Sequence, residues 1–158
     1  MKKIAIFVDV QNIYYTSKQT FGQHFNYTKF WQEISQLGEI HSAFAYAIDR
    51  RDSKQHQFQQ ILKNIGFEVK LKPFIQRSDG SAKGDWDVGI TIDVIEEAQH
   101  VDMIVLLSGD GDFDRLLTHV MQKHKVKTCV YGVNKLTAQS LIQAADEFRE
   151  INESLLLN

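Results

Sequence analysis

The sequence predicts an α/β fold of three layers (αβα), with helices on both faces of a mostly parallel five-stranded sheet. Three observations carry this. Short apolar runs such as Lys3–Val8 and Met103–Leu107 read as buried strands. Longer amphipathic runs such as Thr28–Leu37, with Phe30, Trp31, Ile34 and Leu37 in one stripe, read as helices. The two kinds alternate strictly, which is the order that parallel strands joined by crossover helices impose. At 158 residues the chain has the size of one domain, so 1–158 is read as a single unit.

In chain order, the first strand ends at Asp9, and Asn12 follows three residues on. Both suit a helix cap; the competing reading makes Asp9 a metal ligand and Asn12 its support. After the Thr28–Leu37 helix, Ile40 to Ile48 is the second strand and Gln55 to Ile65 a helix with Phe58, Ile61, Leu62 and Ile65 inward. Between them lie Arg50 and Arg51, read either as a solvated turn or as phosphate contacts. Phe67 to Phe74 is the third strand. Its Val69 and Leu71 alternate with Lys70 and Lys72, and Pro73 follows, so it belongs near an edge with one wetter face. Gln76 to Gly84 is a polar loop carrying Arg77 and Lys83.

The stretch from Trp86 to Val94 fits two templates. Trp86, Val88, Ile90, Ile92 and Val94 alternate as in a strand, yet a helix also places apolar residues on adjoining faces. Parallel strands need a long crossover, usually helical, so a helix over 85–99 is expected. Asp85 and Asp87 then fall in its first turn, where the helix dipole favours carboxylates. Asp102 to Leu107 is the fourth strand, Phe113 to Lys123 a helix, and Val126 to Tyr131 the fifth strand. Thr137 to Ala145 is a short helix with Leu141 and Ile142 inward. The tail, apolar at 148, 151, 155, 156 and 157, is expected to dock on the domain or on a second copy, which leaves a homo-oligomer open.

Charge and cysteine content narrow the function classes. A net charge of −2 argues against nucleic-acid binding by the whole surface, though not against a local basic patch. The single cysteine, Cys129, excludes an internal disulfide, and no Cys/His cluster suits zinc. The apolar run behind Met1-Lys2-Lys3 stops at Asp9, far short of the roughly 20 residues of a membrane span. A cytoplasmic protein with no membrane partner is expected.

The chemistry concentrates in Leu107-Ser108-Gly109-Asp110-Gly111-Asp112-Phe113-Asp114, where three carboxylates fall within five residues on a strand-to-helix turn. Open α/β sheets build ligand sites at such turns. Crowded carboxylates repel one another unless a cation is present, and hard oxygen ligands suit Mg²⁺ or Mn²⁺. A calcium loop starting at Asp110 would need Gly at 115 and Glu at 121, where Arg115 and Met121 stand. The third glycine of a dinucleotide fingerprint is replaced by Asp114, and no phosphate loop, HExxH helix or GxSxG elbow occurs. A phosphoacceptor receiver domain would resemble an acidic pair after strand one, where only Asp9 stands.

Phe7-Val8-Asp9-Val10-Gln11-Asn12, Lys83-Gly84-Asp85-Trp86-Asp87-Val88 and Ser108-Gly109-Asp110-Gly111-Asp112-Phe113 together resemble the motifs of the NYN domain family, LabA-like branch, whose fold is similar to the PIN and 5′-to-3′ nuclease group (a PIN-like, Rossmannoid fold). The middle motif carries one extra residue, so Asp85 and Asp87 compete for the family's position; the interval to Asp93 favours Asp87. The resemblance implies a metal-dependent ribonuclease with Asp9, Asp87, Asp110 and Asp112 as catalytic, metal-binding acids. It implies supporting roles for Asn12 and Ser108, with Asp93 and Asp85 as further candidates and Asp114 outside the inner ligand set.

The expected reaction is phosphodiester hydrolysis of single-stranded or structured RNA with Mg²⁺ or Mn²⁺. Lys83, Arg77, Arg50 and Arg51 would hold the strand, and Tyr14, Tyr15 or Trp86 would stack on bases. The alternative is a non-catalytic RNA-binding or regulatory module on the same fold.

Overall fold

The computed structural model describes residues 1–73, 75–76, 82–83 and 85–157. The chain runs β1 (Lys3–Asp9), α1 (Val10–Phe21), α2 (Tyr27–Ser35), β2 (Glu39–Asp49), α3 (Ser53–Ile65) and β3 (Glu68–Pro73). A small antiparallel pair follows, β4 (Ile75–Gln76) with β5 (Ala82–Lys83). Then come α4 (Asp87–Ala98), β6 (Met103–Leu107), α5 (Asp114–His124), β7 (Lys127–Gly132), α6 (Gln139–Ala144) and β8 (Glu147–Glu150).

The main sheet has the order β3-β2-β1-β6-β7-β8, and all its pairs are parallel. Alternation along the strands divides the core in two. On β1, Ile4, Ile6 and Val8 face the α1, α2 and α3 side, while Ala5 and Phe7 face α4, α5 and α6. With a side-chain period of two, Asp9 therefore continues the face that carries Ala5 and Phe7, towards α4 and α5. The expected crossover helix is present as α4, and β3 is an edge strand as its lysines and proline suggested.

Three expectations are corrected. The sheet has six strands, not five, because Glu147-Phe148-Arg149-Glu150 pairs with Cys129–Gly132. A strand with three charged residues out of four offers no apolar run to read; it survives as an edge, where charges reach solvent. Ile61 is 54% exposed rather than inward, since Leu62 and Gln59 occupy the buried face of α3. The wetter face of β3 is also not the one expected: Lys70 and Lys72 are half-buried beside α4, and Leu71 is exposed. The tail docks on its own domain, with Ile151, Leu155 and Leu156 in the core and Leu156 bridging Phe25. Among the described residues no helix is long and apolar enough to cross a membrane.

Candidate metal centre

The strands leave β1 in opposite directions, β2 and β3 to one side and β6, β7 and β8 to the other. The carboxyl ends of β1 and β6 thus form the topological switch point, where a crevice opens in sheets of this kind. Asp9 ends β1 and caps α1, its Oδ1 accepting the Asn12 N–H at 3.4 Å. Ser108 follows β6 and is fully buried. Its hydroxyl donates to Asp9 Oδ2 at 3.2 Å and accepts the Asp110 N–H at 3.1 Å. Asn12 Oδ1 accepts the Gly109 N–H at 2.9 Å. Two strand ends are therefore tied through Ser108 and Asn12, the two supporting residues the sequence named.

The acid turn is shaped from behind by its glycines. A Cβ on Gly109 would lie 2.5 Å from the Leu136 carbonyl oxygen, and one on Gly111 2.8 Å from the Ala138 Cβ. Asp110 caps a single 3₁₀ turn, Gly111–Phe113, by accepting the Asp112 N–H at 2.9 Å.

Across the crevice α4 presents Asp87 in its first turn. Trp86 anchors that end: its Nε1 donates to the Ala47 carbonyl at 2.9 Å, and its ring lies 5.3 Å from Tyr46. The Lys72 ammonium sits 4.5 Å over the same ring and donates to the Asp85 carbonyl at 3.0 Å. Asp85 Oδ1 in turn accepts the Asp87 N–H at 3.2 Å. So Asp85 shapes the turn, while Asp87 joins Asp110 and Asp112. One carboxylate oxygen from each of these three lies within 4.8 Å of the others.

The electrostatics follow from this crowding. Burial, then a hydrogen bond with Asp110, then the charges of Asp110, Asp85 and Asp9 push the Asp87 carboxyl up to about 7. Asp9 is pushed up to about 6, mainly by burial, with the Asn12 and Ser108 hydrogen bonds opposing. Helix starts at Val10, Asp87 and Asp114 surround the acids and offset part of their charge.

A hard divalent cation fits this donor set. Octahedral Mg²⁺ with oxygens at about 2.0–2.1 Å holds neighbouring ligands about 3 Å apart and opposite ones about 4.2 Å apart, so the three carboxylates would draw together by up to about 2 Å around it. Asp9 stands beside this trio, held through Ser108, rather than within it.

Other expected site residues fall elsewhere. Asp93 accepts the Tyr46 hydroxyl at 2.8 Å and the Lys70 ammonium at 2.7 Å, so it neither lines the crevice beside Asp87 nor braces Asn12 or Ser108. Six residues at 3.6 per turn place it about 120° around the helix from Asp87. Tyr14 is 47% exposed but stacks on His24, with Tyr15 edge-on. Trp86 is committed to Ala47, Tyr46 and Lys72. The Arg50 N–H donates to Gln55 Oε1, and the Arg51 N–H to Asp49 Oδ1, beyond the end of β2. Arg77 lies outside the described residues, as does Gly84 of the middle motif, and Lys83 enters only as backbone of β5. Sequence reading missed Lys72 as a basic group beside the acids. Its period-two partnership with Lys70 on a strand flanked by a helix was the available signal.

A family model described as NYN domain matches residues 3–152. The curated protein "Low amplitude and bright protein LabA" of Synechococcus elongatus is 28% identical over 96% of this chain and 84% of its own. A crystal structure of a Vibrio parahaemolyticus protein of unknown function is 54% identical, with a TM-score of 0.94 over 99% of this chain and 96% of that one. A ribokinase from Giardia lamblia, 12% identical with a TM-score of 0.50 over 94% of this chain and 57% of that one, shares the layered fold alone.

Proposed function

This chain belongs to the NYN domain family, and we propose that it is a Mg²⁺- or Mn²⁺-dependent ribonuclease that hydrolyses phosphodiester bonds of RNA. The observation that carries the reading is the meeting of Asp87, Asp110 and Asp112 oxygens within 4.8 Å at the sheet's switch point. Three carboxylates without a counter-charge are a poor site for a phosphate strand and a good one for a cation that recruits it.

In this reading Asp87, Asp110 and Asp112 hold the cation, with Asp9 alongside. A bound divalent cation supplies charge to polarise the phosphoryl group and to acidify an attacking water. Ser108 and Asn12 fix the acid turn to Asp9, so the carboxylates do not reorganise as the phosphate arrives. Asp87, with its carboxyl pushed up to about 7, would hold a cation in its ionised form. Lys72 supplies positive charge beside the acids, and Arg50 and Arg51 extend it further along the same edge, beyond the end of β2. Catalysis and the choice of RNA over DNA are the parts to be tested.

Labelled single-stranded RNA and DNA, incubated with Mn²⁺, Mg²⁺ or chelator, provide that test alongside an Asp110→Asn variant. RNA cleavage that needs metal and disappears in the variant, with RNA binding retained, is the expected result. Equal traces for both proteins with binding intact would replace the enzyme by an RNA-binding module.

A further inference from the structure

A cleft of about 420 Å³ opens between the end of β2 and the start of α3, with Asp49, Arg51, Asp52, Gln55, His56 and Gln59 in its walls. Its size lies in the range of small-ligand sites, roughly 300–1,000 Å³. Gln59 is only 6% exposed, and among the described residues its side-chain amide has no hydrogen-bond partner. The amide keeps contact with solvent at the cleft wall, where it is free to pair with a ligand. Arg51 stands on the rim with φ at +56°, uncommon for a residue with a side chain. Among the described residues its guanidinium makes no ion pair.

The chemistry of the walls selects the ligand. Asp49 and Asp52 are engaged by the Arg51 N–H at 3.0 Å and the Gln55 N–H at 2.7 Å, and their charge opposes a free anion inside the cleft. A neutral, planar group with its own donors and acceptors fits better. A glutamine amide matches the donor–acceptor edge of adenine in a bidentate pair. The cleft also lies on the same carboxyl edge as the acids. Asp9 pairs with Tyr46, and Asp49 is three residues further, about 10 Å along the strand.

We propose that this cleft is a base-binding subsite that takes an adenine of single-stranded RNA against Gln59, with Arg51 on the adjoining phosphate. It deepens the ribonuclease reading and rests on it for the identity of the strand.

Fluorescence anisotropy of labelled oligo(A), oligo(U) and oligo(C) on the Asp110→Asn protein tests it. Oligo(A) is expected to bind roughly tenfold tighter, within the value of one bidentate base contact. Gln59→Leu should remove that preference and leave oligo(U) unchanged. Arg51→Gly suits the positive φ and so keeps the fold; it should weaken all three oligomers alike. Equal binding of the three, a preference that survives Gln59→Leu, or an Arg51→Gly protein that binds like its parent would overturn the subsite. If Gln59→Leu fails to fold, the Arg51→Gly result and the parent's base preference still decide. Base preference without metal-dependent cleavage by the wild type would keep the subsite and remove the ribonuclease; cleavage without preference would do the reverse.

Discussion

The Ser108 hydroxyl and the Asp9 carboxylate join the ends of two adjacent parallel strands, with Oγ donating to Oδ2 at 3.2 Å while it accepts the Asp110 N–H at 3.1 Å. One buried hydroxyl thus sets the position of an acid on each strand. Ser108→Ala removes both bonds at a fully buried position. Metal affinity is expected to fall about 10–100-fold, the usual cost of losing a partner that orients a ligand. Calorimetric Mn²⁺ titration of the variant checks this.

Asp93 separates a structural acid from the site acids. Asp93→Leu strips a partner from both Tyr46 and Lys70, at a cost of about 1–3 kcal/mol. Urea unfolding should show that loss, while Mn²⁺ affinity stays close to wild type. A loss of metal binding at unchanged stability would place Asp93 in the centre instead.

The difference between Asp87 and Asp93 shows where sequence reading stops. Both lie on α4, and the family resemblance spoke for both. The helical angle between them already argued against a shared target; only the fold revealed Lys70 on β3 as the partner of Asp93. Long-range partners are what a sequence hides. The same holds for β8, whose charged residues carry no apolar period, and for Gln59, polar in sequence yet buried. By contrast, the Ser108–Asp114 turn was legible because a strand, two glycines required by close packing and three acids fall in one short stretch. The choice of helix over strand for 85–99 came from topology, since parallel β3 and β6 need a crossover.

Trp86 positions Asp87 without touching the crevice chemistry. Trp86→Phe keeps an aromatic side chain at this position but loses the Nε1 bond to Ala47 and part of the ring surface that packs on Gly89, Lys72 and Tyr46. A modest drop in melting temperature is expected, with metal affinity weakened about tenfold as the start of α4 loosens. Parallel melting and Mn²⁺ titration distinguish this from a purely structural role, which would move the first and not the second.

Without metal, the acids should make stability fall as pH rises. In the unfolded chain Asp9 ionises near 3.8, whereas in the fold it keeps its proton to about 6. Between these values the folded state binds more protons, so stability is full below about pH 4 and declines above it. Asp87 extends the window to about 7. For Asp9 the whole effect is about 3 kcal/mol at most. In chelator at pH 8, Asp9→Asn and Asp87→Asn should therefore melt higher than wild type, and the advantage should vanish at pH 4. Saturating Mn²⁺ should reverse the order at pH 8.

The most direct measurement is Mn²⁺ binding followed by electron paramagnetic resonance at pH 7.5 on wild type, Asp110→Asn and Asp93→Asn. Stoichiometric binding in wild type and Asp93→Asn, lost at least tenfold in Asp110→Asn, is the expected result for a centre built on Asp87, Asp110 and Asp112. Binding that is absent from the wild type, or equal in wild type and Asp110→Asn, would contradict it.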